Sequence, residues 1–294
     1  LKKQAEQFKT VGLIGNSEKV SCGGAVNQAA KLIAATGRKL CADEVTARLG
    51  CIEARLFPDS SSVAKAADLV LVFGGDGTML RIAREIAGNL TPILGVNIGS
   101  LGFLTAVPSG ELEQALNQVW SGQYSYESRV LLQAVGHTAG RAVAATALND
   151  IVVTRSVATR LIELEVRVNG EPLTRYRCDG LIISSATGST AYALAAGGAI
   201  IAPTAEVVEI TPICPHTLSN RSLIIPLSAT IEVTVISPKP ATILSADGQV
   251  VTDLHAGDTI RVRRSRRTVR LMHLAGSSFF ETLRRKLHWR GATI

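Results

Sequence analysis

The sequence has no long apolar run: stretches such as Leu69–Phe73 and Leu181–Ile183 end at once in Gly or Ser. A membrane-spanning helix needs ~20 apolar residues, so none is expected and no membrane partner is implied. The first residues, Leu1-Lys-Lys-Gln-Ala-Glu-Gln-Phe8, lack a hydrophobic signal core, which argues against secretion. Cysteine is sparse and odd in number: five residues, at positions 22, 41, 51, 178 and 214, with no CxxC spacing. That excludes a disulfide framework or a zinc knuckle and points to a reducing cytoplasm. Aromatics make up only 4% of the chain, too few for a platform on which bases stack, so no nucleic-acid partner is expected. The five histidines show neither HExxH nor paired metal spacing, so no protein-held metal site is expected. There is no GxxxxGK[ST], hence no Walker-type lysine cradle, and no GxGxxG follows a strand, which weakens a dehydrogenase reading.

What is present is ample core material. Of 294 residues, 46% are hydrophobic and 19% charged, and at ~150 residues per domain the length suggests two domains. The net charge of +7 is local: residues 255–294 hold 10 Lys/Arg against 2 Asp/Glu, and the rest holds 21 against 22. The basic cluster Arg261, Arg263, Arg264, Arg266, Arg267 and Arg270 reads as a solvated hairpin with some attraction for phosphate.

Strand and helix signals alternate over the first 120 residues. Val11–Ile14, Asp68–Phe73 and Pro92–Asn97 read as buried strands of an open, mostly parallel sheet. Helices are expected over Val26–Ala35, over Met79–Ala87 with Thr78 as cap, and after Ser109. Beyond Gly122 the period changes to two. Ile162–Val168 alternates and ends in Asn169-Gly170, Thr230–Val235 alternates, and Asp247-Gly248 offers a further tight turn. Thr259–Val262 and Thr268–Leu271 add two more strands. The fold class is therefore an α/β N-terminal domain plus a β-rich, sandwich-like C-terminal domain. A last helix, with Ser278 and Glu281 as a capping box, is expected to pack back on the first domain. The expected boundaries are 1–122 with about 275–294, and 123–274.

Three segments carry chemistry. Gly74-Gly-Asp-Gly-Thr78 lies at the carboxyl end of a buried strand and opens a helix, where free N–H groups and the helix dipole favour phosphate. Asp76 in that setting either takes a proton from an attacking hydroxyl, holds Mg²⁺ against phosphates, or merely caps the helix. Thr187-Gly-Ser-Thr190, rich in hydroxyls, follows the apolar strand after Asp179 and suits ribose or phosphate oxygens; an ordinary strand–turn–helix is the plainer alternative. Asn149-Asp150 suits the vicinal hydroxyls of a ribose, though Asn-Asp is also common turn chemistry.

Together these segments resemble the NAD kinase family, of the ATP-dependent bacterial type. The matching stretches are Gly74–Leu80, Asn97–Thr105, Leu148–Asp150, Asp179–Gly198, Pro212–Pro226 and Asp247–Gln249, in family order over roughly residues 11–290. GGDGT alone is shared with phosphofructokinases and lipid kinases; its combination with GSTAY and PHTLS is specific. The resemblance implies transfer of the γ-phosphoryl group of ATP to the 2′-hydroxyl of NAD, with Asp76 as general base. It implies Gly74, Gly75, Gly77, Thr78 and Arg81 at the nucleotide, Asn149 and Asp150 on ribose, and Thr190, Ala191, Tyr192, Ala193, Leu194 and Ala195 in the adenosine pocket. Asp179 would meet the nicotinamide end, and Arg160, Arg177 and Gln249 would also line the site. Ala195 departs from the family, which often has Ser there. Mg²⁺ carried by ATP and a homo-oligomer, dimer or tetramer, are implied as well. The rivals are a GGDGT kinase acting on a lipid or sugar, and an inactive dinucleotide-sensing regulator.

Overall fold

The computed structural model describes residues 8–19, 21–99, 101–156, 160–216, 221–237 and 242–289. The chain divides into two compact units, Leu1–Ser128 with Val269–Ile294, and Arg129–Thr268.

The first unit opens with β1 (Thr10–Gly15), α1 (Cys22–Ala34), β2 (Lys39–Asp43), α2 (Glu44–Gly50), β3 (Arg55–Phe57) and α3 (Ser60–Ala66). It continues with β4 (Leu69–Gly74), α4 (Asp76–Glu85), β5 (Ile93–Asn97), β6 (Val107–Pro108) and α5 (Leu112–Trp120). Its strands run parallel in the order β5-β4-β1-β2-β3, with β6 beside β5. Every residue of β4 is buried, as a continuous apolar run between two parallel neighbours must be. Val26, Ala29 and Ile33 of α1 and Leu112, Leu116 and Val119 of α5 share one core with Leu13, Leu71 and Val96. On the opposite face Gly12 lets α3 approach, since a side chain there would stand 2.7 Å from Val63 Cγ1. The chain leaves β1 for β2 on one side and returns to β4 on the other. The carboxyl ends of β1 and β4 therefore form a topological switch point, where open α/β sheets bind ligands.

The second unit takes most of β7 (Tyr124–Thr138) and of the last strand, whose outer ends belong to the first unit, with β8 (Arg141–Ala147), β9 (Asp150–Arg155), β10 (Ile162–Val168), β11 (Glu171–Cys178) and β12 (Gly180–Ser185). A 3₁₀ turn (Thr187–Thr190) and the short α6 (Tyr192–Ala195) follow. Then come β13 (Val207–Ile213), β14 (Leu223–Pro226), β15 (Ile231–Val235), β16 (Thr242–Ala246), β17 (Gln249–Leu254) and β18 (Thr259–Leu274). One antiparallel sheet has the order β14-β13-β12-β9-β16-β17; β11-β10-β15-β18 belong to the other, with the β7-β8 hairpin. Ile151, Val153, Leu181 and Ile183 from the first sheet and Leu164, Val166, Val233 and Val262 from the second share one core. This is the sandwich expected. The Asn169-Gly170 turn takes φ of +52° and +82°, and Asp247-Gly248 takes +47° and +76°, the left-handed pair of a tight hairpin. The last helix, α7 (Phe279–Lys286), belongs to the first unit and sets Phe279 against Phe103 with ring centroids 6.5 Å apart.

Three local expectations change. Helix α4 begins at Asp76 with Gly75 as its extended N-cap, so Thr78 lies inside the helix and caps nothing. Its hydroxyl instead accepts a 3.2 Å bond from Asn16 Nδ2. Ser278 stands at the N-cap of α7 without a side-chain cap bond, and Glu281 pairs with Arg285 at 2.6 Å rather than reaching back to the cap. The arginine cluster is no hairpin: it runs through one 16-residue strand, β18, where Arg261 meets Glu232 at 2.6 Å. Of the quoted stretches, Ser100 and residues 217–220 lie outside the described residues.

Candidate active site

In the first unit the site grows from glycine. Gly74 ends β4, and a side chain there would collide with Thr78 Oγ1, so only glycine allows the strand to turn directly into α4. Gly77 faces open space in the first helical turn, leaving its backbone approachable. Gly95, in β5, would carry a Cβ 2.9 Å from Leu104 O and 3.0 Å from Met79 Sδ. Its bare face is what admits the loop after β5 beside α4. That loop then meets Asp76. Phe103 N donates to Asp76 Oδ2 at 2.7 Å and Leu104 N to Oδ1 at 3.0 Å. A side chain on Gly102 would strike the same carboxylate. Asp76 is therefore no helix cap but a half-exposed carboxylate held by two main-chain donors from a separate loop. An ionised carboxylate offers about four acceptor positions, so two remain for a hydroxyl or a cation. Arg81 lies one turn further along α4 and is paired with Glu85 at 3.0 Å.

In the second unit the structure brings three quoted segments together. Asp247, at the turn between β16 and β17, accepts from Leu148 N at 3.0 Å, Asn149 N at 2.7 Å and Asp150 N at 3.3 Å. Ser185, at the end of β12, donates to Leu148 O through its hydroxyl at 2.5 Å, and its N–H reaches Asn149 O at 2.8 Å. Gly188 presses on the same backbone: a Cβ there would lie 2.5 Å from Asn149 C and 2.6 Å from its Cα. Asn149 and Asp150 are thus fixed from both sides, and both are buried. Burial, reinforced by the neighbouring Asp247, pushes the Asp150 carboxyl up to about 7. Tyr192 is exposed, Ala193 is buried in α6, Thr190, Ala191 and Leu194 are half-buried, and Ala195 and Gln249 are exposed. Asp247 as an anchor was missed from sequence; its signals were the Asp-Gly turn and the matching stretch Asp247–Gln249.

Other quoted residues stand apart. Asp179 lies at the start of β12 and pairs with Arg155 at 2.8 Å. Six residues of strand, about 20 Å at ~3.3 Å each, separate it from the Ser185 end. Arg160 and Arg177 are exposed. Among the described residues no group of three His, Cys, Asp or Glu could hold a metal ion, and no helix is long and apolar enough to cross a membrane.

The Gly188 contact gives a stability test. Gly188→Ala must push its methyl into fixed backbone, an overpacking worth roughly 1–3 kcal/mol. Thermal unfolding should show a midpoint lower by several degrees; an unchanged midpoint would mean that Asn149 is not held by this contact.

The family model described as the ATP-NAD kinase N-terminal domain matches residues 57–124, and that of the C-terminal domain matches residues 148–274. An NAD kinase of Cupriavidus pinatubonensis is 40% identical over 283 residues, covering 96% of this chain and 92% of the relative. One from Ralstonia nicotianae is 43% identical over 284 residues, covering 96% and 93%. A yeast NADH kinase complexed with NADH is similar in structure with a TM-score of 0.89 and 25% identity, over 98% of this chain and 90% of that one. An NAD kinase from Archaeoglobus fulgidus in complex with ATP shares the fold with a TM-score of 0.74 at 24% identity, over 96% and 100%.

Proposed function

The chain belongs to the NAD kinase family, and from that premise we propose how its residues divide the work of phosphorylating NAD to NADP with ATP. Asp76 is the general base. It takes the proton of the adenosine ribose 2′-hydroxyl as that oxygen attacks the γ-phosphorus, and ADP leaves with the electrons of the broken P–O bond. A ribose hydroxyl is a poor nucleophile, so the base and the positioning around it supply the rate. The observation that carries this reading is the Asp76 carboxylate itself. It stands at the switch point on a glycine turn and is oriented by Phe103 N and Leu104 N with acceptor capacity to spare. Asn149 and Asp150 hold ribose hydroxyls, and Thr190 to Ala195 line the adenosine pocket. Gly74, Gly75, Gly77, Thr78 and Arg81 serve the phosphates; Asp179 with Arg160, Arg177 and Gln249 serves the nicotinamide end and the remaining rim.

The donor set fits Mg²⁺ brought in on the triphosphate rather than caged by protein, since such ions keep several waters and need one or two carboxylates. Asp76 is kept for the hydroxyl, so the ion would stay with the phosphates and their waters beside the Gly74–Thr78 turn. Held there, such an ion would neutralise charge on the phosphates. Assembly as a homo-oligomer is supported by the separation of Asp179 from the Asn149–Asp150 cluster. In such an assembly a neighbouring copy would bring a second Asp179. The five free cysteines support a reducing, cytoplasmic setting.

The test is substrate choice. Purified protein with Mg-ATP should form NADP from NAD and leave diacylglycerol and fructose 6-phosphate untouched. Turnover of either alternative at a rate comparable to NAD would overturn the reading.

A further inference from the structure

The sequence offers no Walker-type lysine, yet the fold supplies a cation to the glycine turn from another loop. Lys19 follows β1, on the far side of the switch point from Gly74. Its Nζ donates to Ile98 O at 2.8 Å, which carries the ammonium from β1 across to the end of β5. There it stands between two glycines. A Cβ on Gly75 would lie 3.7 Å from Lys19 Nζ, and one on Gly99 would lie 3.8 Å from it. Gly99 has φ +116°, a conformation that side chains rarely adopt, and its carbonyl is held by Asn97 Nδ2 at 2.9 Å. Gly75 is the N-cap of the ten-residue α4, whose first N–H groups have no partner within the helix.

Three features converge at this gap. It is open because two neighbouring positions lack side chains, and it faces the positive end of a helix. It also holds an ammonium whose one hydrogen bond runs to a neutral carbonyl. Among the described residues Lys19 has no carboxylate within ion-pair distance, so its charge is left for a ligand. Bare backbone, a helix N-terminus and an unpaired ammonium together suit an anion with several oxygens.

We propose that Lys19 is a phosphate-binding residue for the nucleotide triphosphate, its ammonium meeting a non-bridging phosphoryl oxygen in the gap between Gly75 and Gly99. The assignment rests on the ATP-dependent reading above and adds to it a residue that the glycine motif does not contain. Lysine performs there, as a point charge, what the P-loop lysine performs in other folds.

The test compares Lys19→Met and Lys19→Arg with the wild type, measuring calorimetric binding of Mg-ATP and of NAD separately and then initial rates. Loss of one charge-assisted contact should raise the Kd for Mg-ATP in Lys19→Met on the order of 10- to 100-fold. KM for ATP should rise in parallel, with the Kd for NAD within about 2-fold of the wild type. Lys19→Arg keeps the charge and should recover most of the affinity. Raising salt should weaken ATP binding less in Lys19→Met than in the wild type. Unaltered ATP binding in Lys19→Met, equal losses for ATP and NAD, or an Arg variant as weak as Met would each overturn the proposal. A wild type that fails to bind ATP removes the ATP-dependent reading and this inference together. A wild type that binds ATP beside an unaffected Lys19→Met removes the inference alone.

Discussion

Replacing Asp76 by Asn should lower kcat by roughly 10²–10⁴, the usual worth of a general base. The proton of the 2′-hydroxyl must go somewhere as the oxygen attacks, and an amide cannot take it at neutral pH. The substitution is not perfectly isosteric in its contacts. Asp76 accepts from both Phe103 N and Leu104 N, and Asn retains one acceptor oxygen while its NH₂ would face the other donor. Part of the loss is therefore local loosening of the 102–104 loop, worth about 1–3 kcal/mol where that donor is left unpaired. Binding separates the two contributions. If Asp76 acts in the chemical step, the Kd for NAD stays within a few-fold of the wild type while kcat collapses. An Asp76→Asn protein that cannot bind NAD would instead make Asp76 chiefly a binding residue, and the base would have to be sought elsewhere.

Asp150 should show the opposite pattern, with a pH signature of its own. Its carboxyl titrates at about 7, chiefly through burial and secondarily through Asp247, whereas a free carboxyl titrates at 3.8. Ribose hydroxyls donating to the carboxylate favour the ionised form, so NAD binding should release a proton. The affinity of the wild type should accordingly improve by up to ~10-fold per pH unit below 7 and level off above it, each unit being 1.36 kcal/mol of differential interaction. At pH 8, Asp150→Asn should bind NAD on the order of 10- to 150-fold more weakly, the loss of 1.5–3 kcal/mol from one charged acceptor. Near pH 5 the two proteins should converge. Stability moves the other way. With the folded value raised, the unfolded chain loses its proton first, so the folded state loses roughly 1.4 kcal/mol per unit as pH rises from about 4 to about 7. Asp150→Asn escapes that loss, and urea unfolding should find its advantage growing across this window. A wild-type affinity for NAD that does not vary between pH 5 and 8 would remove Asp150 from the ribose.

Much of this was legible in the sequence because the informative residues obey simple steric and polar rules. The buried run Leu69–Phe73 followed by glycines marks a parallel strand turning into a helix, and Asn169-Gly170 marks the hairpin between β10 and β11. Residues 39–66 went unread because their two helices are only seven residues long and show little periodicity. Their signal lay in the caps. Asp43 accepts from Thr46 N and Asp59 from Ser62 N, both at 2.7 Å, and an aspartate three residues before such a donor is readable. Thr78 misled because a hydroxyl after glycines looks like a cap, while extended Gly75 had already started the helix. The arginine-rich strand misled because charge broke the alternation that would have joined its two halves. The pairing of Asp76 and of Asn149–Asp150 with their partners could not be read, since those partners are backbone N–H groups and a distant Asp247 brought close only by folding.

The γ-phosphoryl group of ATP should end on the 2′-oxygen of NAD. The direct measurement supplies Mg-ATP labelled at the γ-phosphorus together with NAD and follows the label by product separation and ³¹P NMR. One labelled 2′-phosphate on NADP is expected for each ADP formed, at a rate that falls in Asp76→Asn by the factor seen in kcat. Label appearing only as inorganic phosphate, or on any other position of the dinucleotide, would contradict it.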